Sequence, residues 1–241
     1  MCGIAGYIGK RKIEKNNILS TLELMKNRGP DHQDYCEFVL GDLYICLLHS
    51  RLGIIDLDLR SNQPYQFEKL HLIFNGEVYN YIELREALLK RGYQFETDGD
   101  TEVLIKAFHC WGFEMYEKLE GMWSFAIYDE EKGAIHLSRD RFAEKPLFYH
   151  DTGEGFVFGS EVKFLKKLLN TTFEINETQI YRYIVNGYKS LYKQNETFFN
   201  DVYEIPNASC LEIDSSLDHN SRNYWTPKPK LNMNMSLEDA I

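Results

Sequence analysis

The chain has 241 residues, of which 44% are hydrophobic, and this is enough for one large domain or for a domain with an extension. Its formal net charge is −10, and because an acidic surface repels phosphate backbones, nucleic acid is not an expected partner. No apolar run approaches the ~20 residues of a membrane span, and no secretory signal is seen, so we expect a cytoplasmic protein without a membrane partner.

The spacing of apolar residues predicts more strands than helices, and most strands are separated by short turns. Short turns join antiparallel neighbours, and the order is not a regular βαβ repeat, so the expected fold class is a layered α+β arrangement. In chain order the predicted elements are a strand over 3–8, a helix over 13–25, a hairpin over 36–40 and 43–49, a strand over 70–74, helices over 81–90 and 101–111, hairpins over 122–128 with 134–138 and 147–149 with 156–158, and a helix over 161–169.

The character of the chain changes after about Asn170. A short helix is predicted over 180–185, and strands over 202–205 and 208–213 are joined at Pro206 and Asn207. Residues 226–241 read as a linker followed by the first turn of a helix capped by Ser236. We therefore expect a core over 2–170, an extension over 171–225, and a linker over 226–241 that leads into a further domain.

Cys2 directly follows Met1. If Met1 is removed, one residue carries both a thiol and a free α-amino group, whose reference pKa values are about 8.5 and about 7.7–8.0. Such a residue is a nucleophile with its own base. The alternative is a small residue that merely follows Met1, so the interpretation depends on whether the rest of the chain supplies a site.

The other cysteines and the histidines do not predict a metal site. The five cysteines are scattered and form no CxxC pair, which argues against zinc and against a disulfide framework. The seven histidines show no metal-ligand spacing, and no phosphate-binding loop or GxGxxG is found. We expect no metal and no cofactor in this segment. Cys46, within an apolar run, is expected in the core.

Two clusters contain an arginine. Arg28 opens an Arg-Gly-Pro-Asp sequence that ends at Asp31, and a simple turn is the alternative to a functional role. Arg51 follows an apolar strand, where a guanidinium can bind a carboxylate through two parallel hydrogen bonds. A surface salt bridge is an equally good interpretation of Arg51.

Two further clusters lie between apolar segments. Asn75-Gly76 is a strong hairpin signal, but the same pair offers a side-chain amide and a backbone N–H to a developing oxyanion. Asp100 directly precedes a predicted helix, and its plain interpretation is an N-cap. That position is compatible with a carboxylate aimed at an ammonium group. A free amino acid has a carboxylate for Arg51 and an ammonium for Asp100, and glutamine adds an amide for Cys2. The clusters together predict glutamine hydrolysis.

Several stretches in this order resemble the class II glutamine amidotransferases, and within them the glutaminase half of asparagine synthases. The resemblance extends over essentially the whole chain. It is carried by several motifs in the same order as in the family. The matching stretches are residues 2–4, 28–31, 51–56, 62–64, 75–80, 100–103, 120–129, 139–141, 145–149, 160–163, 204–206 and 224–225.

The resemblance implies a four-layer α/β/β/α sandwich of two mostly antiparallel sheets, with Cys2 as an N-terminal nucleophile. It implies that Asn75 and Gly76 form the oxyanion hole and that a glutamyl thioester is formed and hydrolysed. The residues implied to hold glutamine are Arg51, Leu52, Gly53, Ile54, Ile55, Asn75, Gly76, Glu77 and Asp100.

In the family the ammonia passes to a second domain, which uses ATP and Mg to activate an acceptor. Its Ser-Gly-Gly-x-Asp-Ser loop is absent from the 241 residues, so the expected partners are L-glutamine and a missing synthetase domain. A homodimer is compatible with the resemblance. The alternatives are a domain that serves a sugar or peptide acceptor and a non-catalytic structural domain. Residues 51–64 are a candidate lid.

Overall fold

The computed structural model describes residues 1–188 and 195–228, so the predicted helix start at Ser236 and most of the predicted linker lie outside the described residues. The strands are β1 (Gly3–Gly9), β2 (His32–Leu40), β3 (Leu43–Arg51), β4 (Tyr65–Phe67), β5 (Leu70–Val78), β6 (Gly121–Asp129), β7 (Ala134–Arg139), β8 (Phe148–Asp151), β9 (Gly155–Gly159), β10 (Tyr203–Glu204), β11 (Ser209–Ile213) and β12 (His219–Asn223). The helices are α1 (Lys15–Met25), α2 (Tyr81–Leu89), α3 (Asp100–Trp111), α4 (Met115–Lys118), α5 (Val162–Leu169) and α6 (Glu177–Asn186).

The strands form two sheets of six strands each. The first sheet has the order β10-β8-β9-β1-β3-β2 and the second has the order β12-β11-β7-β6-β5-β4. All pairs between these strands are antiparallel. The predicted α+β class with antiparallel sheets is therefore confirmed.

Three apolar layers hold four structural layers together. The inner layer lies between the sheets and includes Ile4, Leu47 and Ile73. A second layer joins the first sheet to α1 and α5, and a third joins the second sheet to α2 and α3. The result is the α/β/β/α sandwich that the resemblance implies.

Strand alternation explains how one strand serves two layers, because successive side chains point to opposite faces of a sheet. In β1, Ile4 and Ile8 belong to the inner layer, whereas Ala5 and Tyr7 belong to the layer under α1 and α5. Cys46 lies on the helix side of β3 and is fully buried, which confirms its predicted core position. β1 and β3 are thus buried on both faces, which explains their nearly continuous apolar runs.

The structure decides an alternative that the sequence left open. Asn75 and Gly76 do not form a hairpin turn; they lie inside β5, where they pair with Ser124 and Trp123 of β6. The two strands predicted on either side of Pro206 and Asn207 are present as β10 and β11. They enter different sheets, because β10 pairs with β8 and β11 pairs with β7.

The sequence also missed β4 and β12. β4 has only three residues, which is too short for its alternation to be recognised, and all five residues of β12 are polar and exposed. The remaining predicted strands and helices are present, with ends that differ by a few residues.

A buried aspartate shapes the loop between β7 and β8. Asp140 is 1% exposed, and its carboxylate accepts hydrogen bonds from the backbone N–H groups of Trp123 at 3.2 Å and of Phe142, Glu144 and Lys145 at 3.0 Å each. A single carboxylate therefore satisfies four backbone donors and ties the loop to β6.

Replacing Asp140 by Ala should lower the free energy of unfolding by about 3 kcal/mol, because buried donors without partners cost about 1–3 kcal/mol each. Urea unfolding measures this change. Asp42→Ala, at an exposed turn residue between β2 and β3, is the control and should stay within about 0.5 kcal/mol of the parent. A loss below about 1 kcal/mol for Asp140→Ala would contradict the assigned role.

Candidate active site

A cleft opens at one end of the layer between the two sheets, and its empty space together with the open solvent at its mouth is about 540 Å³. It brings together nearly all of the residues that the sequence singled out. The predicted residues that line it are Cys2, Arg51, Leu52, Ile54, Ile55, Asn75, Gly76, Glu77 and Asp100. Gly53 is not among the lining residues; its backbone N–H donates to the Asp31 carboxylate at 2.7 Å.

Strand alternation places these side chains in the cleft. Cys2 is in phase with Ile4 of β1, and Arg51 is in phase with Leu47 of β3, so both point between the sheets. Asn75 is likewise in phase with Ile73 of β5. The cleft is therefore the polar continuation of the inner apolar layer.

His49 links the two sheets at the level of the cleft. Its Nε2 lies 3.1 Å from the carbonyl oxygen of Phe74, so a proton on Nε2 donates from β3 to β5. Complete burial lowers the pKa of His49 to about 3, and the ring is therefore neutral at physiological pH. The contact fixes the distance between the strands that carry Arg51 and Asn75.

The Cys2 sulfur lies against the end of β3. The backbone N–H of Leu52 donates to Sγ at 3.4 Å, and Sγ lies 3.7 Å from the Leu52 carbonyl oxygen. Burial is the largest influence and raises the pKa of the Cys2 thiol, whereas the Leu52 N–H and the nearby Arg51 lower it. Met1 precedes Cys2 in this structure, so the Cys2 nitrogen is part of a peptide bond.

Arg28 supports Cys2 from outside the cleft. Its Nε donates to the Cys2 carbonyl oxygen at 2.9 Å, and Nη1 pairs with Glu161 at 3.1 Å. The chain does turn after Arg28, but Gly29 packs against the backbone of Ser50, where a Cβ would collide. The Arg28 cluster thus forms a turn, and its arginine also holds the backbone of Cys2 by a hydrogen bond.

The guanidinium of Arg51 is buried, so the prediction of a surface salt bridge is wrong. The side chain is 7% exposed and donates to the carbonyl oxygen of Asp58 at 3.0 Å, to Asn62 Oδ1 at 2.7 Å and to the carbonyl oxygen of Asp56. These acceptors are neutral, so the positive charge is not cancelled by them and is available to an anion in the cleft.

The segment from Leu52 to Gln63 is fastened at both ends. The Asp56 carboxylate accepts from the Ser61 hydroxyl at 2.6 Å and from the Asp98 N–H at 2.9 Å. Gln63 Oε1 accepts from the Phe74 N–H at 2.6 Å. The candidate lid therefore rests on β5 and on the turn before α3, and its closure stays a prediction.

The Asn75 side chain is fully inside the protein at the cleft wall. It is 1% exposed, and its Nδ2 donates to the Ser124 hydroxyl at 3.3 Å, which fixes the orientation of the amide. Gly76 follows in the same strand, where a Cβ would lie 2.7 Å from Trp123 Cα and would also collide with the Met122 carbonyl oxygen. Only glycine lets β5 approach β6 this closely at the cleft.

Asp100 is the first residue of α3 rather than its N-cap, which is Gly99. Its carboxylate accepts from the Val78 N–H at 2.9 Å. Burial is the largest influence and raises the pKa of Asp100 to about 6, and the nearby Glu77 raises it as well. A cationic partner would stabilise the ionised form of this buried carboxylate.

Sequence reasoning missed five residues that line the cleft as site residues: Met1, Gln63, Phe74, Thr101 and Lys145. Gln63, Thr101 and Lys145 lie inside stretches that carry the family resemblance, which is the one signal that pointed to them. Within residues 1–188 and 195–228, no group of three or more potential metal-ligating side chains is found. The same residues include no helix with the length and apolar character of a membrane span.

A family model described as a glutamine amidotransferase domain matches residues 1–225. The chain belongs to this family. It is 36% identical over 237 residues to putative asparagine synthetase [glutamine-hydrolyzing] 2 of Methanocaldococcus jannaschii, covering 85% of this chain and 45% of the relative. It is also 36% identical over 170 residues to asparagine synthetase [glutamine-hydrolyzing] 3 of Bacillus subtilis, covering 68% and 27%. The chain thus spans less than half the length of these relatives.

A solved structure, the glutamine phosphoribosylpyrophosphate amidotransferase of Bacillus subtilis, superimposes on this amidotransferase domain with a TM-score of 0.67. The match covers 94% of this chain and 50% of that chain at 19% sequence identity. It supports the N-terminal nucleophile hydrolase fold. Together with the asparagine synthetase relatives, it places the domain in class II of the glutamine amidotransferases.

Gly76→Ala should lower the free energy of unfolding of the amidotransferase domain by about 1–3 kcal/mol, because the new Cβ forces β5 away from β6. Gly53→Ala is the matched control in the loop beside the cleft, since its Cβ would meet the flexible end of Leu57 at 3.1 Å and the Asp31 carboxylate at an ordinary 3.6 Å. Urea unfolding compares the two variants. Equal stability of both would show that the sheet does not require glycine at position 76.

Proposed function

We propose that this domain hydrolyses L-glutamine to glutamate and ammonia, with Cys2 as the nucleophile after Met1 is removed. The observation that supports it best is a single cleft that joins the Cys2 thiol to Arg51, Asn75, Gly76 and Asp100. Family membership supports the same activity. These groups are of the chemical kinds that the carboxylate, ammonium and amide groups of glutamine require.

The charges in the cleft select an amino acid. Arg51 provides a cation for the α-carboxylate, and Asp100 and Glu77 provide anions for the α-ammonium group. In a partly buried cleft such pairs are stronger than in water. Glutamine bound in this way places its side chain toward Cys2, with the backbone of residues 52–55 forming one wall.

The first half of the reaction forms a thioester. The α-amino group of Cys2 takes the thiol proton, and the sulfur attacks the side-chain amide carbon, so that a C–S bond forms and the carbonyl oxygen becomes an oxyanion. The Asn75 amide and the Gly76 N–H stabilise that oxyanion. The proton then passes to the amide nitrogen, the C–N bond breaks and ammonia leaves.

The second half restores the enzyme. A water molecule gives a proton to the α-amino group and attacks the thioester carbon, and the same donors stabilise the second oxyanion. The C–S bond breaks, the proton returns to the sulfur, and glutamate leaves. The net change is the addition of one water to glutamine and the release of one ammonia.

The acceptor of the ammonia is a separate part of the proposal. Relatives named asparagine synthetase support a partner synthetase domain. The family resemblance implies that this domain uses ATP and Mg, with aspartate as the acceptor. A sugar or peptide acceptor is the alternative, and a homodimer and cytoplasmic residence stay predictions. A purely structural role for the domain is the remaining alternative, and the next experiment separates it from hydrolysis.

Replacing Cys2 by Ala should abolish ammonia release from glutamine while the thermal unfolding profile stays unchanged. Cys36→Ala is the matched control, because this cysteine lies in β2, does not line the cleft, and should leave the rate unaffected. Ammonia release is measured on protein whose loss of Met1 has been verified by mass spectrometry. Substantial turnover by Cys2→Ala, or a wild-type chain that is inactive after Met1 removal, would refute the proposal.

The affinity for glutamine should depend on the protonation of Asp100. Its pKa is raised to about 6, so lowering the pH below 6 neutralises the carboxylate that binds the ammonium group. Relative to its high-pH limit, the dissociation constant should rise about tenfold at pH 5. Calorimetric titration of the Cys2→Ala variant measures binding without hydrolysis.

Asp100→Asn in the same background is the control for this titration. It should bind glutamine weakly and with little change between pH 7 and pH 5, because the amide does not titrate. Parallel pH profiles for Asp and Asn at position 100 would show that another group controls binding.

A further inference from the structure

Lys145 has no role in the glutaminase proposal, yet its side chain lies in the same cleft. The residue is 6% exposed, and it lines the cleft together with Cys2 and Glu77. Its Nζ lies 3.3 Å from the sulfur of Met1. A buried ammonium therefore contacts the residue directly bonded to Cys2.

The backbone of Lys145 is held on both sides. Its N–H donates to the Asp140 carboxylate at 3.0 Å, and its carbonyl oxygen accepts from Arg139 Nε at 2.8 Å. Arg139 in turn donates to the Ile205 carbonyl oxygen at 2.7 Å. The loop between β7 and β8 thus holds the backbone of Lys145 in place. Because the residue is also buried, its side chain is not a freely moving surface chain.

The ammonium of Lys145 lacks the partner that a buried lysine normally has. In the described part of the chain, Lys106 is the other lysine buried to this degree, and it forms an ion pair with Glu102. Lys145 forms none of the ion pairs seen in residues 1–188 and 195–228, and the atom that accepts from its Nζ is a thioether sulfur, a weak acceptor. Because burial of an unpaired charge is costly, an unpaired ammonium in the cleft that holds Cys2 indicates a functional role.

We propose that Lys145 is a positioning residue that keeps the α-amino group of processed Cys2 neutral near neutral pH, and this rests on the proposed function of that cleft. Met1 and Cys2 share one peptide bond, and Lys145 and Cys2 line the same cleft, so loss of Met1 creates the new amine in the cleft that holds the lysine. Like charges disfavour one another, and the ammonium of Lys145 therefore opposes protonation of the amine. A neutral amine is the form that accepts the thiol proton.

The other charged groups around the amine act in both directions. Asp100 of α3 and Glu77 of β5 line the cleft and favour a protonated amine, as does a Cys2 thiolate. Arg51 at the end of β3 opposes protonation. From the turn after α1, Arg28 donates to the Cys2 carbonyl oxygen, and its charge is offset by Glu161. Without Lys145 the carboxylates outnumber the unpaired cation, and the amine would stay charged to higher pH.

The test compares Lys145→Met, which keeps the length of the side chain and removes its charge, with Lys145→Arg, which keeps the charge. The measurement is the pH profile of kcat/KM for ammonia release by the full chain after verified loss of Met1. In Lys145→Met the acidic limb should move up by about one pH unit, whereas the plateau at high pH stays the same. Lys145→Arg should restore the position of the limb.

Two outcomes of the kinetic test would overturn the inference. An unmoved acidic limb in Lys145→Met would show that the lysine does not act on the amine. A rise in KM at every pH with an unmoved limb would instead assign Lys145 to binding of the glutamine carboxylate. A merely structural role would lower the plateau and the melting temperature without moving the limb, and it too would refute the inference.

A second measurement does not depend on catalysis. The ¹³C shift of the Cys2 Cα in cysteine-labelled protein titrates with its α-amino group, and the signal is assigned by its loss in Cys2→Ala. The pKa of the amine should be about one unit higher in Lys145→Met than in the parent. If hydrolysis proved independent of Cys2 while this difference persisted, the proposed function would fail and the influence of Lys145 would stand. Equal amine pKa values would refute the influence of Lys145 alone.

Discussion

The face-to-face packing of two antiparallel sheets is the constraint on which the site depends. In each central strand every second side chain enters the inner layer, and burying a large apolar side chain there contributes roughly 1.5–3 kcal/mol. Ile4, Leu47 and Ile73 belong to this layer. Their burial also fixes the direction of Cys2, Arg51 and Asn75. A register shift of one residue would turn the apolar residues of the same strand out of the layer.

The polar end of the inner layer is stabilised by contacts that cross between the sheets. The neutral ring of His49 joins β3 to the Phe74 carbonyl of β5, and Gln63 joins the loop after β3 to the Phe74 N–H. Both contacts are made to the backbone immediately before Asn75. The oxyanion donors of the proposal therefore sit on a strand that is held from two directions, so little reorganisation is needed when charge develops.

Local sequence predicted much of this arrangement, but it could not decide between the alternative interpretations of Asn75-Gly76 and of Arg51. The apolar spacing predicted the central strands and the main helices, and it left open whether Asn75-Gly76 was a turn. Local chemistry favours a turn, and only the close approach of β6, which a Cβ at Gly76 would block, shows why the pair lies within a strand. The burial of Arg51 likewise depends on the loop after β3, because this loop folds over the guanidinium and accepts hydrogen bonds from it through Asp58 and Asn62.

The residues hardest to predict are those whose importance comes from a neighbour far away in the chain. Lys145 belongs to a loop whose shape depends on the Asp140 carboxylate, which also accepts from the N–H of Trp123 in β6. The same carboxylate therefore stabilises the loop and sets where the lysine ammonium lies. Because α-helix, strand and loop residues all meet at one cleft, its electrostatic balance is a property of the whole sandwich. A substitution at Asp140 would alter the cleft through the backbone, whereas one at Lys145 would alter its charge and leave the loop in place.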